Sequence, residues 1–157
     1  MTLSRILVNG AGGRIGRAVT HEIVESGKRG SGLALVAVNE VRGIDYLLEN
    51  YPGRDPVHGK YDWRIEKYND NAICINGKVV RVYAEKDITK LPLKNLGVEI
   101  VTECSGFFGD PKEKGKDSLS RPFLNMGAQR VMQCYPAKTA DISLIMGANH
   151  ELYDPSK

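Results

Sequence analysis

The chain has 157 residues, with 22 Lys and Arg against 19 Asp and Glu, and 41% of its residues are hydrophobic. This length suits one domain with a packed core, which excludes a disordered, collagen-like or coiled-coil chain. No stretch reaches the roughly 20 apolar residues of a membrane helix, and the N-terminus does not resemble a signal peptide. The net charge of +3 is interleaved, without the basic stripe of a nucleic-acid-binding protein. We therefore expect a soluble, cytoplasmic protein that binds neither nucleic acid nor membrane.

The cysteines and histidines are scattered along the chain. Cys74, Cys104 and Cys134 are odd in number and lack Cys-x-x-Cys spacing, which argues against a disulfide framework and a zinc site. The three histidines have no ligand spacing either. We expect no metal, and we expect reduced, mostly buried thiols that pack as small hydrophobic side chains.

The first elements follow the order strand, glycine turn, helix, strand. Residues 5–8 form a short apolar run, which predicts a buried strand, and a glycine-rich turn at 10–13 follows. Apolar residues then recur every four positions, which predicts a helix that ends near residues 26–27. Residues 33–38 are apolar on both faces, as in a central strand of a parallel sheet. The order predicts a βαβ unit.

A hairpin is expected to interrupt the parallel alternation. Segments 72–75 and 79–83 flank Asn76-Gly77, the strongest short-range pattern for a two-residue turn. Such a turn joins only antiparallel strands, so we expect the hairpin to project from the sheet.

The other segments continue the alternation. The predicted elements are a helix over 44–51 ended by Pro52, a loop over 53–60, a strand over 98–101, a helix within 112–126, and strands over 131–134 and 142–146. Together they predict an α/β fold, a doubly wound parallel sheet of about six parallel strands with a small antiparallel hairpin insertion.

The glycine turn is a candidate site for a dinucleotide pyrophosphate. Backbone N–H groups and the positive end of the helix dipole would both point at an anion there, and glycines keep Cβ atoms out of its way. The spacing from Gly10 through Gly12 to Gly16 is one residue longer than the common Gly-x-Gly-x-x-Gly pattern. A tight strand-to-helix turn without a ligand is the alternative interpretation.

Glu40 follows the second predicted strand, where a carboxylate can accept hydrogen bonds from the adenosine ribose hydroxyls. It lies farther from the glycines than the usual spacing of about 20 residues, and the connection over 28–32 absorbs the difference. An acid here repels a 2′-phosphate, so the sequence favours NAD over NADP, while Arg42 favours the opposite preference. A solvated acid after a strand is the alternative.

Short motifs run through nearly the whole chain in a definite order. They include NGAGGRIGR at 9–17, VAVNE at 36–40, INGK at 75–78, AEKD at 84–87, ECSGFF at 103–108 and MGANHELYD at 146–154. Their order and spacing resemble those of the phosphorylating glyceraldehyde-3-phosphate dehydrogenases. The glycine run alone is similar to that of the dihydrodipicolinate reductases, but this second resemblance ends at the helix.

The resemblance implies that residues 1–157 are a Rossmann domain that binds NAD, and that the C-terminal catalytic domain is absent from this chain. The parent protein would be a homotetrameric, NAD-dependent enzyme of glycolysis that oxidises glyceraldehyde 3-phosphate to an acyl phosphate. The family's nucleophilic cysteine and its histidine base do not occur in these 157 residues, so we expect the chain alone to be inactive. An erythrose-4-phosphate dehydrogenase and a stand-alone NAD-binding protein are the alternatives.

The resemblance also assigns cofactor contacts. The main chain at Arg14 and Ile15 would hold the pyrophosphate, Glu85 and Lys86 would lie beside the adenine, and Cys134, where the family usually has serine, would lie near the nicotinamide. The predicted cofactor-binding set is Asn9, Gly10, Gly12, Gly13, Arg14, Ile15, Gly16, Asn39, Glu40, Glu85, Lys86, Ser105, Gly106, Phe108 and Cys134. Within this set, Gly13 departs from the family pattern as an insertion in the phosphate loop. No catalytic residue is predicted in the chain.

Overall fold

The computed structural model of the chain describes residues 3–61, 63–106, 121–136 and 140–156. The strands are β1 (Ser4–Asn9), β2 (Leu33–Asn39), β3 (Arg54–Asp55), β4 (Gly59–Lys60), β5 (Ile65–Asn69), β6 (Ala72–Ile75), β7 (Lys78–Tyr83), β8 (Ile100–Glu103) and β9 (Arg130–Gln133). The α-helices are α1 (Arg14–Lys28), α2 (Gly43–Asn50), α3 (Leu93–Leu96) and α4 (Arg121–Asn125), and short 3-10 helices span Ile88–Lys90 and His150–Leu152. In these described parts of the chain, no helix is long and apolar enough to cross a membrane.

One seven-stranded sheet organises the chain, in the order β5-β6-β7-β2-β1-β8-β9. The five strands β7, β2, β1, β8 and β9 are parallel to one another. Strand β6 runs antiparallel to both of its neighbours, β5 and β7. Strand β1 lies between β2 and β8, so the chain moves to one side of β1 and later to the other. The predicted first crossover is confirmed, because β1 and β2 are adjacent and parallel.

The sheet has apolar layers on both faces. Ile6 and Val8 of β1 pack on one face with residues of α1 and α2, and Leu7 packs on the other face with residues of α3 and α4. Successive side chains of a strand point to opposite faces, so an uninterrupted apolar run fits a strand that is covered on both. This arrangement confirms the predicted Rossmann-type, doubly wound α/β fold.

The hairpin forms as predicted but occupies a different place. Asn76 and Gly77 form its turn with positive φ angles of 50° and 81°. The prediction that the hairpin projects from the sheet is wrong, since β7 also pairs with β2 in parallel register. The turn sequence determines only how β6 meets β7, whereas buried Val80 and Val82 place β7 against the core.

Three other predictions needed correction, and one strand was missed. Residues 142–146 form no strand, and their apolar side chains are exposed, so about six parallel strands become five. Strand β5 was not predicted. Helix α1 continues through Gly27 to Lys28, because the residue with positive φ after it is Gly30. The predicted loop over 53–60 contains the two-stranded ribbon β3–β4.

Candidate dinucleotide-binding site

The carboxyl ends of three adjacent parallel strands form the floor of the candidate site. Asn39 ends β2, Asn9 ends β1 and Glu103 ends β8, and these residues pair in register across the sheet. The glycine turn leaves β1 at this edge and leads into α1. Because β1 is the strand at which the order reverses, the site is the crevice in which open α/β sheets bind ligands.

Two glycines of the turn allow close backbone packing. Gly10 has φ +75°, and a Cβ atom there would lie 2.5 Å from the Cα of Ser105. A Cβ atom on Gly16 would lie 2.1 Å from the carbonyl oxygen of Gly10. These contacts place the turn directly against the start of α1 and the segment after β8, and neither position has room for a side chain.

Gly13, which the resemblance predicts to be an insertion, lies outside this close packing. It is the N-cap of α1 with φ −70°, and the nearest atom to an added Cβ would be the Gly10 oxygen at 3.5 Å. An extra residue at this position would lengthen the loop at the helix cap and leave the close contacts of Gly10 and Gly16 in place.

The N-terminus of α1 is open to an anion. Gly13 offers no side-chain cap, and the first turn contains no acidic residue. The first N–H groups of a helix have no intrahelical acceptor, so they and the helix dipole favour a negative group. Arg14 and Ile15 are exposed at this end of the helix. The main chain here fits the pyrophosphate of a dinucleotide.

Glu40 is a buried carboxylate that is tied to the glycine turn. It is 3% exposed, its Oε2 accepts a hydrogen bond of 2.8 Å from the Gly12 N–H, and its Oε1 accepts one of 2.8 Å from Arg42 Nε. Burial raises the pKa of Glu40, but the hydrogen bonds from Arg42 and Gly12 outweigh it and hold the pKa below its usual value. The side chain is therefore ionised at neutral pH.

Arg42 is the basic residue nearest to this carboxylate. Its guanidinium group lies 3.5 Å from the ring centroid of Tyr46, and its side chain is half exposed. A Cβ atom on Gly12 would contact both Glu40 and Tyr46 at less than 3 Å. Gly12, Glu40, Arg42 and Tyr46 thus form one packed corner, in which Arg42 offsets part of the charge of Glu40.

Asn9 and Asn39 form a buried hydrogen-bond network below the crevice. Asn39 Nδ2 donates to Asn9 Oδ1 at 2.7 Å and to the Glu85 carbonyl oxygen at 2.9 Å. The Glu85 N–H donates in turn to Asn39 Oδ1 at 2.9 Å. This network fixes the main chain at Glu85, next to exposed Lys86, relative to the ends of β1 and β2.

Glu103 completes the network and was missed by the sequence analysis. It is fully buried and accepts hydrogen bonds from Asn9 Nδ2 and from the N–H and hydroxyl of Ser105. Burial raises its pKa, and the bonds from Ser105 and Asn9 only partly oppose this effect. An acid at the end of an apolar strand, two residues before predicted Ser105, was the pattern that could have identified it.

The structure brings most of the predicted residues to one edge of the sheet. Gly106, with φ +67°, follows Ser105, and Cys134 follows β9 with its N–H bonded to the Glu103 oxygen. Phe108 lies outside the described residues. The three cysteines are partly buried, and Cys104 and Cys134 follow strand ends at this edge of the sheet. Among the described residues, no group of three or more acidic, histidine or cysteine side chains could hold a metal ion.

Comparison with known proteins identifies the family. A model described as "Glyceraldehyde 3-phosphate dehydrogenase, NAD binding domain" matches residues 4–111. Glyceraldehyde-3-phosphate dehydrogenase of Thermotoga maritima is 35% identical over 156 residues, which cover 98% of this chain and 43% of the relative. The enzyme of Chlamydia muridarum is 34% identical over 152 residues, 97% of this chain and 42% of the relative.

A third relative, glyceraldehyde-3-phosphate dehydrogenase 1 of Bacillus cereus, is 34% identical over 155 residues, 97% of this chain and 42% of the relative. The chain thus spans less than half the length of these relatives. The family match includes the glycine turn, Glu40, Glu85 and Ser105, the residues that converge at the carboxyl edge of the sheet. The chain belongs to the glyceraldehyde-3-phosphate dehydrogenase NAD-binding domain family, and its cofactor is NAD.

Proposed function

We propose that NAD binds in the crevice between the glycine turn and Glu40, with its pyrophosphate at the N-terminus of α1. The observation that carries this proposal is the position of Glu40. An ionised, buried carboxylate is held by the Gly12 N–H at the edge of a helix start that has no side-chain cap. One end of the crevice therefore suits hydroxyl donors, and the other suits an anion.

The phosphate end depends on backbone groups. The N–H groups at Arg14 and Ile15 point at the pyrophosphate, and Gly10, Gly12, Gly13 and Gly16 leave the space beside it clear. At the ribose end, a carboxylate has about four lone-pair sites. Three sites of Glu40 accept from the Gly12 N–H, the Arg42 N–H and Arg42 Nε, so one is left for a ribose hydroxyl.

The adenine end is formed by loops that the buried network supports. Glu85 and Lys86 would lie beside the adenine, and Ser105 and Gly106 would line the adenine and ribose. Asn9 and Asn39 act by holding these loops, because their side chains bond to each other and to Glu85 and Glu103. Cys134 lies toward the nicotinamide, and a contact from Phe108 is a further prediction.

Calorimetric titration with NAD tests the role of Glu40. Glu40→Ala removes a charged acceptor, so we expect binding to weaken by about 1.5–3 kcal/mol. Glu49→Gln is a matched control, because Glu49 is an exposed acid on the adjacent helix, and it should bind NAD as the wild type does. Equal affinity of folded Glu40→Ala and wild type would contradict the ribose role, and no binding by folded wild type would contradict the site.

The same titration with NADP tests the cofactor preference. Glu40 repels a 2′-phosphate and Arg42 attracts it, so we expect NAD to bind more tightly than NADP and Arg42→Ala to widen the difference. Equal or tighter binding of NADP by the wild type would contradict the proposed dominance of Glu40.

We further propose that this chain is the cofactor-binding half of a phosphorylating dehydrogenase whose substrate is glyceraldehyde 3-phosphate. Bound NAD supplies the two-electron acceptor for aldehyde oxidation, and the residues described above hold and orient it. The family's reaction also needs a thiolate nucleophile and a histidine base, and their motifs do not occur in these 157 residues.

The isolated chain should therefore form no NADH from glyceraldehyde 3-phosphate, NAD and phosphate. The measurement is the absorbance of NADH with purified protein. Turnover that persists in the combined variant Cys74→Ser, Cys104→Ser, Cys134→Ser would identify a contaminating host enzyme. Turnover that one of these substitutions abolishes would overturn the proposal and identify a nucleophile within this chain.

A further inference from the structure

Two of the three cysteines follow neighbouring strands at equivalent positions. Strands β8 and β9 are parallel, and their pairing runs from Ile100 and Arg130 to Glu103 and Gln133. The next residues in this register are Cys104 and Cys134. The pairing continues to them, since the Cys134 N–H donates to the Glu103 carbonyl oxygen at 2.9 Å.

This register places the two thiols side by side. Paired residues of parallel strands point to the same face, and neighbouring strands lie about 4.8 Å apart. This spacing is within the Cα separation of about 4.4–6.8 Å that a disulfide requires. Because a disulfide also needs Cβ atoms about 3.5–4.5 Å apart, a bond between Cys104 and Cys134 needs side-chain rotation and a small approach of these two residues, which lie just beyond the strand ends.

The two thiols interact and differ in their protonation. The hydrogen bond between them raises the pKa of Cys104, and burial adds to this effect. The same hydrogen bond lowers the pKa of Cys134. This direction favours Cys134 as the attacking thiolate, and an oxidation that begins at Cys104 gives the same disulfide.

The environment of the pair also allows reaction with a small oxidant. Both cysteines are half-buried, and Cys134 follows the last strand of the sheet. Cys74 cannot take part within one chain, because β6 is separated from β9 by four strands.

We propose that Cys104 and Cys134 are a redox-active dithiol that a hydroperoxide converts into a disulfide between the ends of β8 and β9. The Cys134 thiolate attacks one peroxide oxygen, the O–O bond breaks, and the leaving oxygen takes a proton. The Cys104 sulfur then attacks the sulfenic sulfur of Cys134, and the S–S bond forms as the S–O bond breaks. The Cys104 proton and the departing hydroxide form water.

With hydrogen peroxide, two thiols are oxidised and one peroxide is reduced to two water molecules. A thiol reductant reduces the disulfide back to two thiols by thiol–disulfide exchange, as it does for the reversible redox-sensing disulfides of reducing compartments. The dithiol lies at the ends of β8 and β9, and the proposed cofactor set includes Cys134, so its oxidation is measured on protein free of NAD.

Oxidation of the reduced protein with an equimolar amount of hydrogen peroxide tests the proposal. The number of free thiols, titrated in denaturant, should fall from three to one, and the mass of the chain should fall by two hydrogen atoms. Tryptic digestion should yield the Cys104 peptide joined to the Cys134 peptide, and reduction should separate them.

Single substitutions provide the controls. In Cys74→Ser the number of free thiols should fall from two to none, at the rate at which the wild type is oxidised. Cys104→Ser should form no disulfide within a chain. Circular dichroism confirms that each variant is folded before oxidation. Three remaining thiols, a crosslink that involves Cys74, or a disulfide found only between two chains would overturn the proposal.

Discussion

The two halves of the sheet use polar side chains in opposite ways. The parallel half, β2, β1, β8 and β9, ends in Asn9, Asn39 and Glu103, all of which are buried and hydrogen-bonded to one another or to adjacent loops. In the other half, β5 to β7, successive strands pair antiparallel, although β7 also pairs in parallel with β2. The polar side chains of this half are exposed, and hydrophobic Tyr68 and Val79 face solvent.

Strand direction explains this difference. Parallel strands all end at the same edge, so the loops that follow them meet and can be joined by one buried network. Antiparallel strands send alternate ends to opposite edges, and their loops do not accumulate in one place. Burying a polar group without a hydrogen-bond partner costs free energy. The fully paired network at the parallel edge therefore holds the loops there in fixed positions.

The largest effect is expected at the glycine turn of the parallel half. In Gly16→Ala the added methyl group would collide with the Gly10 carbonyl oxygen, which is backbone and cannot move aside. We expect unfolding free energy to fall by about 3 kcal/mol. Gly13→Ala is the matched control, and urea denaturation should show a change of less than about 1 kcal/mol. Equal losses in the two variants would contradict the assigned packing.

A pair of asparagines compares the two halves directly. Asn39→Ala leaves Asn9 Oδ1 and the main chain of Glu85 without their hydrogen-bond partner, so we expect a loss of about 2 kcal/mol in unfolding free energy. Asn69→Ala removes an exposed contact with the Asn71 N–H and should cost only about 0.5 kcal/mol. A loss for Asn69→Ala as large as that for Asn39→Ala, measured by urea denaturation, would remove the contrast.

The smallest effect is expected in the ribbon β3–β4, which belongs to neither half. Hydrogen bonds from the His58 and Val57 N–H groups, with Arg17 adding to them, lower the pKa of Asp55 from 3.8 to about 2. A carboxylate with a lowered pKa stabilises the fold above its unfolded pKa, and this contribution is lost as pH falls toward 2.

Thermal unfolding of wild type and Asp55→Asn checks this pH dependence. The wild type should melt at a higher temperature near neutral pH, and the difference should shrink as pH falls from 3.8 toward 2. A difference that stays constant over this range would show that the charge of Asp55 does not contribute.

The parallel core and the glycine turn could be predicted because their patterns are local. The apolar runs of β1 and β2 and the four-residue recurrence in α1 depend on residues that are close in sequence. Glu40 could be singled out as a candidate ribose-binding carboxylate for the same reason, since an acid after the second strand of a βαβ unit has a defined place at the sheet edge.

Elements without a local sequence pattern, and roles that depend on distant partners, could not be predicted. Strand β5 has a mostly polar, exposed sequence without the alternation of a strand, and it forms because its backbone pairs with the adjacent strand β6. Residues 142–146 have the composition of a strand, but in the described chain they pair with no strand and remain exposed. The role of Glu103 depends on Asn9, which is 94 residues away in sequence.

Amide chemical-shift mapping during an NAD titration locates the bound cofactor residue by residue, because each backbone N–H of the ¹⁵N-labelled chain reports its own environment. We expect saturable shifts at residues 10–16, at Glu40 and at residues 105–106, with little change in β5 and β6. Saturable shifts confined to β5, β6 and the ribbon, or none at NAD concentrations that saturate calorimetric binding, would contradict this expectation.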